Sequence, residues 1–147
     1  MSAGGRYISG VPDAVAVQDG LFEDTPPRLL ASHCSGCGRH HFPRASICPY
    51  CSLSGSVAVE LSGDGHLWAW TAVNAAPPGY RGEVPYGFGV VELDEGLRVL
   101  GRLTEADPSR LRAGQPMRLA VVPLHADDEG REVRTYAFSP VGTGGGG

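Results

Sequence analysis

Apolar residues recur at every second position along much of the chain from residue 57 onward. Val57, Val59 and Leu61 alternate with Ala58 and Glu60, the period-2 pattern of a strand with one buried face. Ser62-Gly63-Asp64-Gly65 reads as a turn or bulge. Residues 66–73 (HLWAWTAV) and 86–94 (YGFGVVELD) are aromatic and β-rich, and Glu95-Gly96 closes a hairpin into a strand over 97–103. In that strand Leu97, Val99, Gly101 and Leu103 share one face, and Arg98, Leu100 and Arg102 share the other. Asp107-Pro108 starts a helical turn that ends at Gly114. Residues 117–124 and 133–138 are two last strands, joined by a polar turn over 125–132. Five or six short antiparallel strands with one late helical turn predict an all-β protein. A closed barrel buries the edges such strands would expose. A five-stranded OB-fold matches the strand count better than a sandwich, which takes about seven. The linker at 74–85 (NAAPPGYRGEVP) is long for a structureless connection, and such loops are often functional.

The first third lacks this pattern. Residues 1–18 read as a flexible arm, and residues 19–28 as a short helix capped by Asp19 and stopped by Pro26 and Pro27. The organisation expected is therefore an arm (1–18), a helix and small metal-stapled unit (19–56), a barrel (57–140) and a disordered Gly-rich tail (141–147).

All four cysteines fall in the stretch before the barrel, as Cys34-Ser35-Gly36-Cys37 and Cys48-Pro49-Tyr50-Cys51. Each C-x2-C turn places two thiolates on one side of a tight loop, and two facing turns build a tetrahedron of sulfurs that suits Zn²⁺. Gly38 permits the close approach of the first loop, and His41 and Phe42 fall between the pairs. Four thiolates leave no open coordination position, so the expected metal is structural. Rubredoxin-type iron uses similar ligands, so zinc and iron both fit this spacing. A thioredoxin-like redox pair would need a βαβ context that is missing. His33, His40 and His41 read as polar neighbours of the ligands, not as ligands themselves.

Composition narrows the function classes. The 147 residues are 41% hydrophobic and carry a net charge of −4, enough apolar content for a core and an unfavourable charge for a general nucleic-acid binder. Every basic side chain is Arg, with Lys absent, so each cation can meet a carboxylate or phosphate through a planar fork. No segment approaches the ~18 apolar residues that span a bilayer, and the N-terminus lacks a signal-peptide pattern. A soluble cytoplasmic protein without a membrane partner is expected. Nucleophile elbow, P-loop and dinucleotide fingerprints are missing. With the cysteines assigned to metal, no catalytic residue stands out.

The motifs together resemble a known family, in which a rubredoxin-like zinc ribbon precedes an acyl-CoA-associated OB-fold. The resemblance rests on Cys34 to Arg39 (CSGCGR), Phe42-Pro43-Arg44 and Ile47 to Cys51 (ICPYC). It continues through Leu61 to Gly65 (LSGDG), Trp70 to Val73 (WTAV), Pro85-Tyr86-Gly87, Val91 to Gly96 (VELDEG) and Gly114 to Met117 (GQPM). It covers roughly residues 20–140.

That resemblance implies a non-catalytic accessory subunit. Family members bind CoA or acyl-CoA and associate with thiolase-like or ketoacyl-synthase-like enzymes of lipid, steroid or polyketide metabolism, where the catalytic groups belong to the partner. Others carry the same pair of domains fused to a hydratase, for which this chain is too short. A CoA ligand needs cations for its phosphates and an apolar groove for pantetheine. Arg44, Arg81, Arg98 and Arg102 are candidate phosphate partners, and Trp68 and Trp70, read as sharing one strand face, are candidates to line the groove or stack on adenine. The loop over 74–85, with Tyr80 and Arg81, is placed to meet a partner enzyme. The alternative is an OB-fold nucleic-acid module with a structural zinc ribbon.

Overall fold

The computed structural model describes residues 14–141. Ten strands are present, β1 (Ala14–Ala16), β2 (Phe22–Glu23), β3 (Arg28–His33), β4 (His40–His41), β5 (Val57–Leu61), β6 (Gly65–Val73), β7 (Tyr86–Leu93), β8 (Arg98–Leu103), β9 (Pro116–Ala126) and β10 (Glu132–Pro140). A single 3-10 turn, Pro108–Arg110, is the only helical element among the described residues. No helix there is long and apolar enough to cross a membrane.

The last five strands close on themselves in the order β9-β6-β7-β8-β10, with β10 returning to β9. The β8–β10 contact is parallel and the other barrel pairings are antiparallel. This is the five-stranded barrel that the alternation predicts, an OB-fold. Along β8, Val99, Gly101 and Leu103 point inward while Arg98 and Leu100 are exposed, as a pleat requires. Gly101 is needed because a Cβ there would strike the rings of Phe138 and Tyr136. At Gly65, the barrel's first residue, a Cβ would run into the Glu92 carbonyl. The 3-10 turn starts as Asp-Pro predicts. Asp107 caps it by accepting from the Ser109 hydroxyl at 2.8 Å and the Ser109 amide at 3.0 Å. Those two bonds hold the Asp107 carboxyl below its ordinary pKa, the hydroxyl contributing most.

The helix expected over 19–28 is absent. Its place is taken by a short hairpin in which Phe22 pairs with Leu29 and Glu23 with Arg28. Pro26 and Pro27 lack the amide donors of a helix turn, and burying Phe22 and Leu29 together outweighs the weak helix propensity left. Of the arm expected over 1–18, residues 1–13 lie outside the described residues, and Ala14–Ala16 forms β1 in parallel with β10. Residues 142–147 of the expected tail also lie outside them.

β3 is the centre of the second sheet. It pairs with β2 and β4 along its length and with β5 from Leu29↔Leu61 to His33↔Val57. Val57–Leu61, read with the barrel, thus hydrogen-bonds to the cysteine-bearing unit. Alternation shows that a strand has one buried face, but not which sheet it joins. Arg44 braces this pairing, its Nε donating to the Ala31 carbonyl at 3.0 Å and its Nη2 to that of Val59 at 2.8 Å.

The two sheets share one core. Phe22, Leu29, Ala31 and Leu61 of the small sheet join Leu67, Val91, Leu103, Met117 and Phe138 of the barrel in a single buried cluster. Tyr136 lies at the seam, 6.4 Å from Phe22 and 5.6 Å from Phe42 by ring centroids. Its burial raises the phenol pKa, and its hydroxyl donates to the Leu100 carbonyl at 2.9 Å. Beside it, Arg134 of β10 reaches Asp24 of the β2–β3 hairpin at 3.3 Å, with side chains only 19% and 10% exposed. Removing one partner leaves the other charged and poorly hydrated. Arg134→Met is therefore expected to lower the stability of the metal-loaded chain by about 3 kcal/mol, measured by urea unfolding. A loss comparable to that of a surface pair would show that Asp24–Arg134 does not tie the sheets together.

Candidate metal centre

Both cysteine loops have the same local build. In the first, the Gly38 amide donates to the Cys34 carbonyl at 2.8 Å, and the Cys37 amide points at the Cys34 sulfur, 3.5 Å away. In the second, the Ser52 amide donates to the Cys48 carbonyl at 2.9 Å, and the Tyr50 amide lies 3.3 Å from the Cys48 sulfur. The residue after each second cysteine takes the left-handed conformation, Gly38 at φ +80° and Ser52 at φ +67°. Glycine adopts it at no steric cost, whereas Ser52 does so only because the loop closes around it.

The loops face each other. All four sulfurs lie within 4.8 Å of one another, with Cys34–Cys51 at 3.6 Å and Cys37–Cys48 at 3.7 Å. A tetrahedral ZnS₄ centre with ~2.3 Å bonds has sulfur–sulfur edges of about 3.8 Å, so the donor set fits Zn²⁺. Cys34 and Cys48 are buried, and Cys37 lies at the surface. The His33 and His40 rings meet at a tilt of 54°, their centroids 4.7 Å apart. His41 is buried and its Nε2 meets the Ser56 hydroxyl at 3.0 Å. None of these histidines joins the cysteine cluster.

The electrostatics also call for a cation. The Cys37 amide outweighs burial at Cys34 and lowers that thiol to about 6. At Cys51 the Leu53 amide favours the thiolate, but burial and the neighbouring sulfurs, led by Cys34, prevail and raise the thiol to about 11. Without a metal, the Cys34 thiolate is favoured at the expense of that of Cys51. A dication lets all four ionise together.

The six side chains proposed from sequence for a CoA ligand do not converge. Arg44 is spent on the β3–β5 brace. Arg81 ties the 74–85 loop to the β9–β10 turn, through the Ala126 carbonyl at 3.2 Å and Asp128 at 3.4 Å. Trp68 and Trp70 do not share a face. A register shift between Leu67 and Ala69 leaves Trp68 unpaired in a bulge, which breaks the alternation the sequence reading assumed. Trp70 packs on the core and its indole N–H donates to the Pro108 carbonyl at 3.0 Å. Trp68 is 52% exposed, with the Arg98 guanidinium 4.0 Å above its ring. Arg102 stands further along β8, 4.5 Å over Tyr86 and 2.8 Å from the Tyr80 hydroxyl.

Two features had escaped the sequence reading. Arg39 lies 4.9 Å over Tyr50, and both line a 530 Å³ cleft with Arg98, Glu92 and Glu95 between the cysteine unit and the β7–β8 hairpin. Tyr80, Tyr86, Phe88 and Tyr136 gather round Arg102. Only the aromatic content of residues 80–88 pointed toward the second.

Comparison with known proteins agrees with both halves of this geometry. Residues 25–58 match the family model of the ChsH2 rubredoxin-like zinc ribbon domain, and residues 58–122 that of the ChsH2 C-terminal OB-fold domain. A DUF35 domain-containing scaffold protein of Pyrococcus furiosus is 30% identical over 115 residues, covering 78% of this chain and 84% of that protein. The chain belongs to the DUF35 scaffold-protein family. A further relative of this DUF35 chain, at 30% identity over 78% of each protein, is the benzoylsuccinyl-CoA thiolase subunit BbsA of Thauera aromatica. Among solved structures, a chain of the Ltp2-ChsH2(DUF35) aldolase matches with TM-score 0.59 and 28% identity, covering 77% of this chain and 84% of that one.

If the cysteines hold the ribbon through a metal, the DUF35 chain purifies with one zinc per molecule by elemental analysis. Cys48→Ser is expected to lose that zinc and most protection of the ribbon amides from hydrogen exchange, while the barrel strands stay protected. Full ribbon protection in metal-free protein would overturn the assignment.

Proposed function

We propose that this DUF35 chain is a cytoplasmic, non-catalytic accessory subunit. In this reading it docks on a thiolase-like or ketoacyl-synthase-like enzyme and helps hold an acyl-CoA. Cys34, Cys37, Cys48 and Cys51 bind a structural Zn²⁺ that keeps the ribbon in shape, and the partner supplies the groups that make or break the C–C bond or transfer the acyl group. One observation carries the reading. Over more than three quarters of its length the chain is similar to a protein named as a benzoylsuccinyl-CoA thiolase subunit and to a chain of the Ltp2-ChsH2(DUF35) aldolase.

The surface supports a CoA-handling role at one place above the others. Arg44 and Arg81 are occupied by this chain's own carbonyls and Asp128. Arg98 has no hydrogen bond or carboxylate partner among the described residues, and its guanidinium lies over the ring of half-exposed Trp68. A guanidinium stacked on a half-exposed indole offers a phosphate bond and, on its own outer side, a planar surface for a base. Arg39 and His40 across the cleft add polar donors. Glu92 and Glu95 on the same rim disfavour a long nucleic-acid strand, as does the net charge of −4.

Co-expression with a thiolase-like subunit encoded beside this gene is expected to give a complex that co-elutes on gel filtration and restores the partner's activity. Trp68→Ala and Arg98→Ala should each weaken binding of CoA about tenfold, or about 1.4 kcal/mol, in calorimetric titrations. Separate elution of the chains with a partner fully active alone would overturn the reading.

A further inference from the structure

The groove around Arg102 has a different chemistry from the cleft at Arg98. Its volume is about 390 Å³, and its walls are the rings of Tyr80, Tyr86, Phe88 and Tyr136 with the side chain of Leu100. Two of its three phenol groups, those of Tyr80 and Tyr136, are turned to other work. The Tyr80 hydroxyl accepts from Arg102 at 2.8 Å and donates to the Glu83 carbonyl at 2.8 Å, and that of Tyr136 donates to the Leu100 carbonyl at 2.9 Å. Beside the Tyr86 and Thr135 hydroxyls, the rest of the lining is ring surface and aliphatic carbon, with Leu100 60% exposed. Tyr80 and Tyr86 lie 5.0 Å apart, and Arg81 holds the loop that carries Tyr80 against Asp128.

Arg102 stands where this groove meets a second cleft, of about 480 Å³. One guanidinium nitrogen is used by Tyr80, and Arg102 has no carboxylate partner among the described residues. Four further N–H donors stay available to an oxygen ligand. Glu83 and Glu132 line the second cleft, so a polyanion is repelled there. An apolar groove ending at one uncompensated guanidinium, with carboxylates beyond it, selects an apolar chain or ring carrying one carbonyl or one carboxylate.

We infer that the groove between the 74–85 loop, β7, β8 and the β9–β10 hairpin binds the acyl group of the ligand. The occupant is a medium-length alkyl or an aryl group, and Arg102 bonds its carbonyl or carboxylate oxygen. This rests on the acyl-CoA reading above and goes beyond it, because it makes the subunit selective for what the thioester carries. It also moves Arg102 from a phosphate role to an acyl role.

Calorimetric titration of the full-length, zinc-loaded chain with CoA, octanoyl-CoA and benzoyl-CoA tests it. At least one acyl-CoA is expected to bind ten or more times tighter than CoA. Leu100→Asp changes an exposed side chain and should remove that advantage, and Arg102→Gln should reduce it severalfold. Octanoate alone, at millimolar concentration, should shift the amide signals of Tyr86 and Leu100 in a heteronuclear NMR titration. Equal affinities for CoA and both acyl-CoAs would overturn the acyl site and leave the CoA role standing. Octanoate shifts confined to the groove, with no CoA species binding, would uphold the acyl site and remove the CoA role. Octanoate shifts spread over the surface or missing, together with no acyl preference, would overturn the proposal.

Discussion

The ribbon depends on bringing four sulfurs within 4.8 Å of one another. The unit is a few short strands and tight loops, with too little apolar surface to fold alone. At its far end the structure closes on cysteine sulfur, where a domain of ordinary size would close on leucine. The sulfurs impose a demand in return. Like charges packed this closely repel, and Cys34 and Cys51 are displaced in opposite directions. The loop geometry and the need for a dication follow from the same crowding. Metal binding to such sites contributes on the order of 10 kcal/mol, enough to order a unit of this size.

The ribbon's near end is held differently. Phe22, Leu29 and Leu61 enter the barrel's own core, Tyr136 is packed between ribbon and barrel rings, and Asp24 meets Arg134 across the seam. Ribbon and barrel are thus joined by buried contacts more than by a linker. A shared core of this kind fixes one rigid outer surface. For an accessory subunit, that rigidity places the Arg39–Arg98 cleft and the Arg102 groove at set positions relative to each other.

Much of the architecture was legible in the chain. Two C-x2-C turns announce a four-sulfur site because their spacing leaves few other uses. The alternation in residues 86–103 announces a hairpin because Glu95-Gly96 can do little else. The illegible parts share a cause. The helix expected over 19–28 gave way to a hairpin because Phe22 and Leu29 gain more by burial than a short capped helix gains locally. The tryptophans part because of one unpaired residue, and a bulge leaves no mark in a continuous apolar run such as LWAW. The arginines look alike in sequence. Whether each is spent on a carbonyl, as Arg44 is, or left open, as Arg98 is, depends on residues far away in the chain.

The sequence by itself determined the elements and their chemistry, namely an all-β chain, a four-thiolate cluster, a barrel of five strands and an arginine-only set of cations. These follow from local spacing, since turn residues, period-2 burial and ligand intervals act over a few positions. The tertiary structure alone decided which sheet takes Val57–Leu61, which tryptophan faces water and where the aromatic groove opens. Each of these is settled by contacts between distant segments, whose energies no local pattern records.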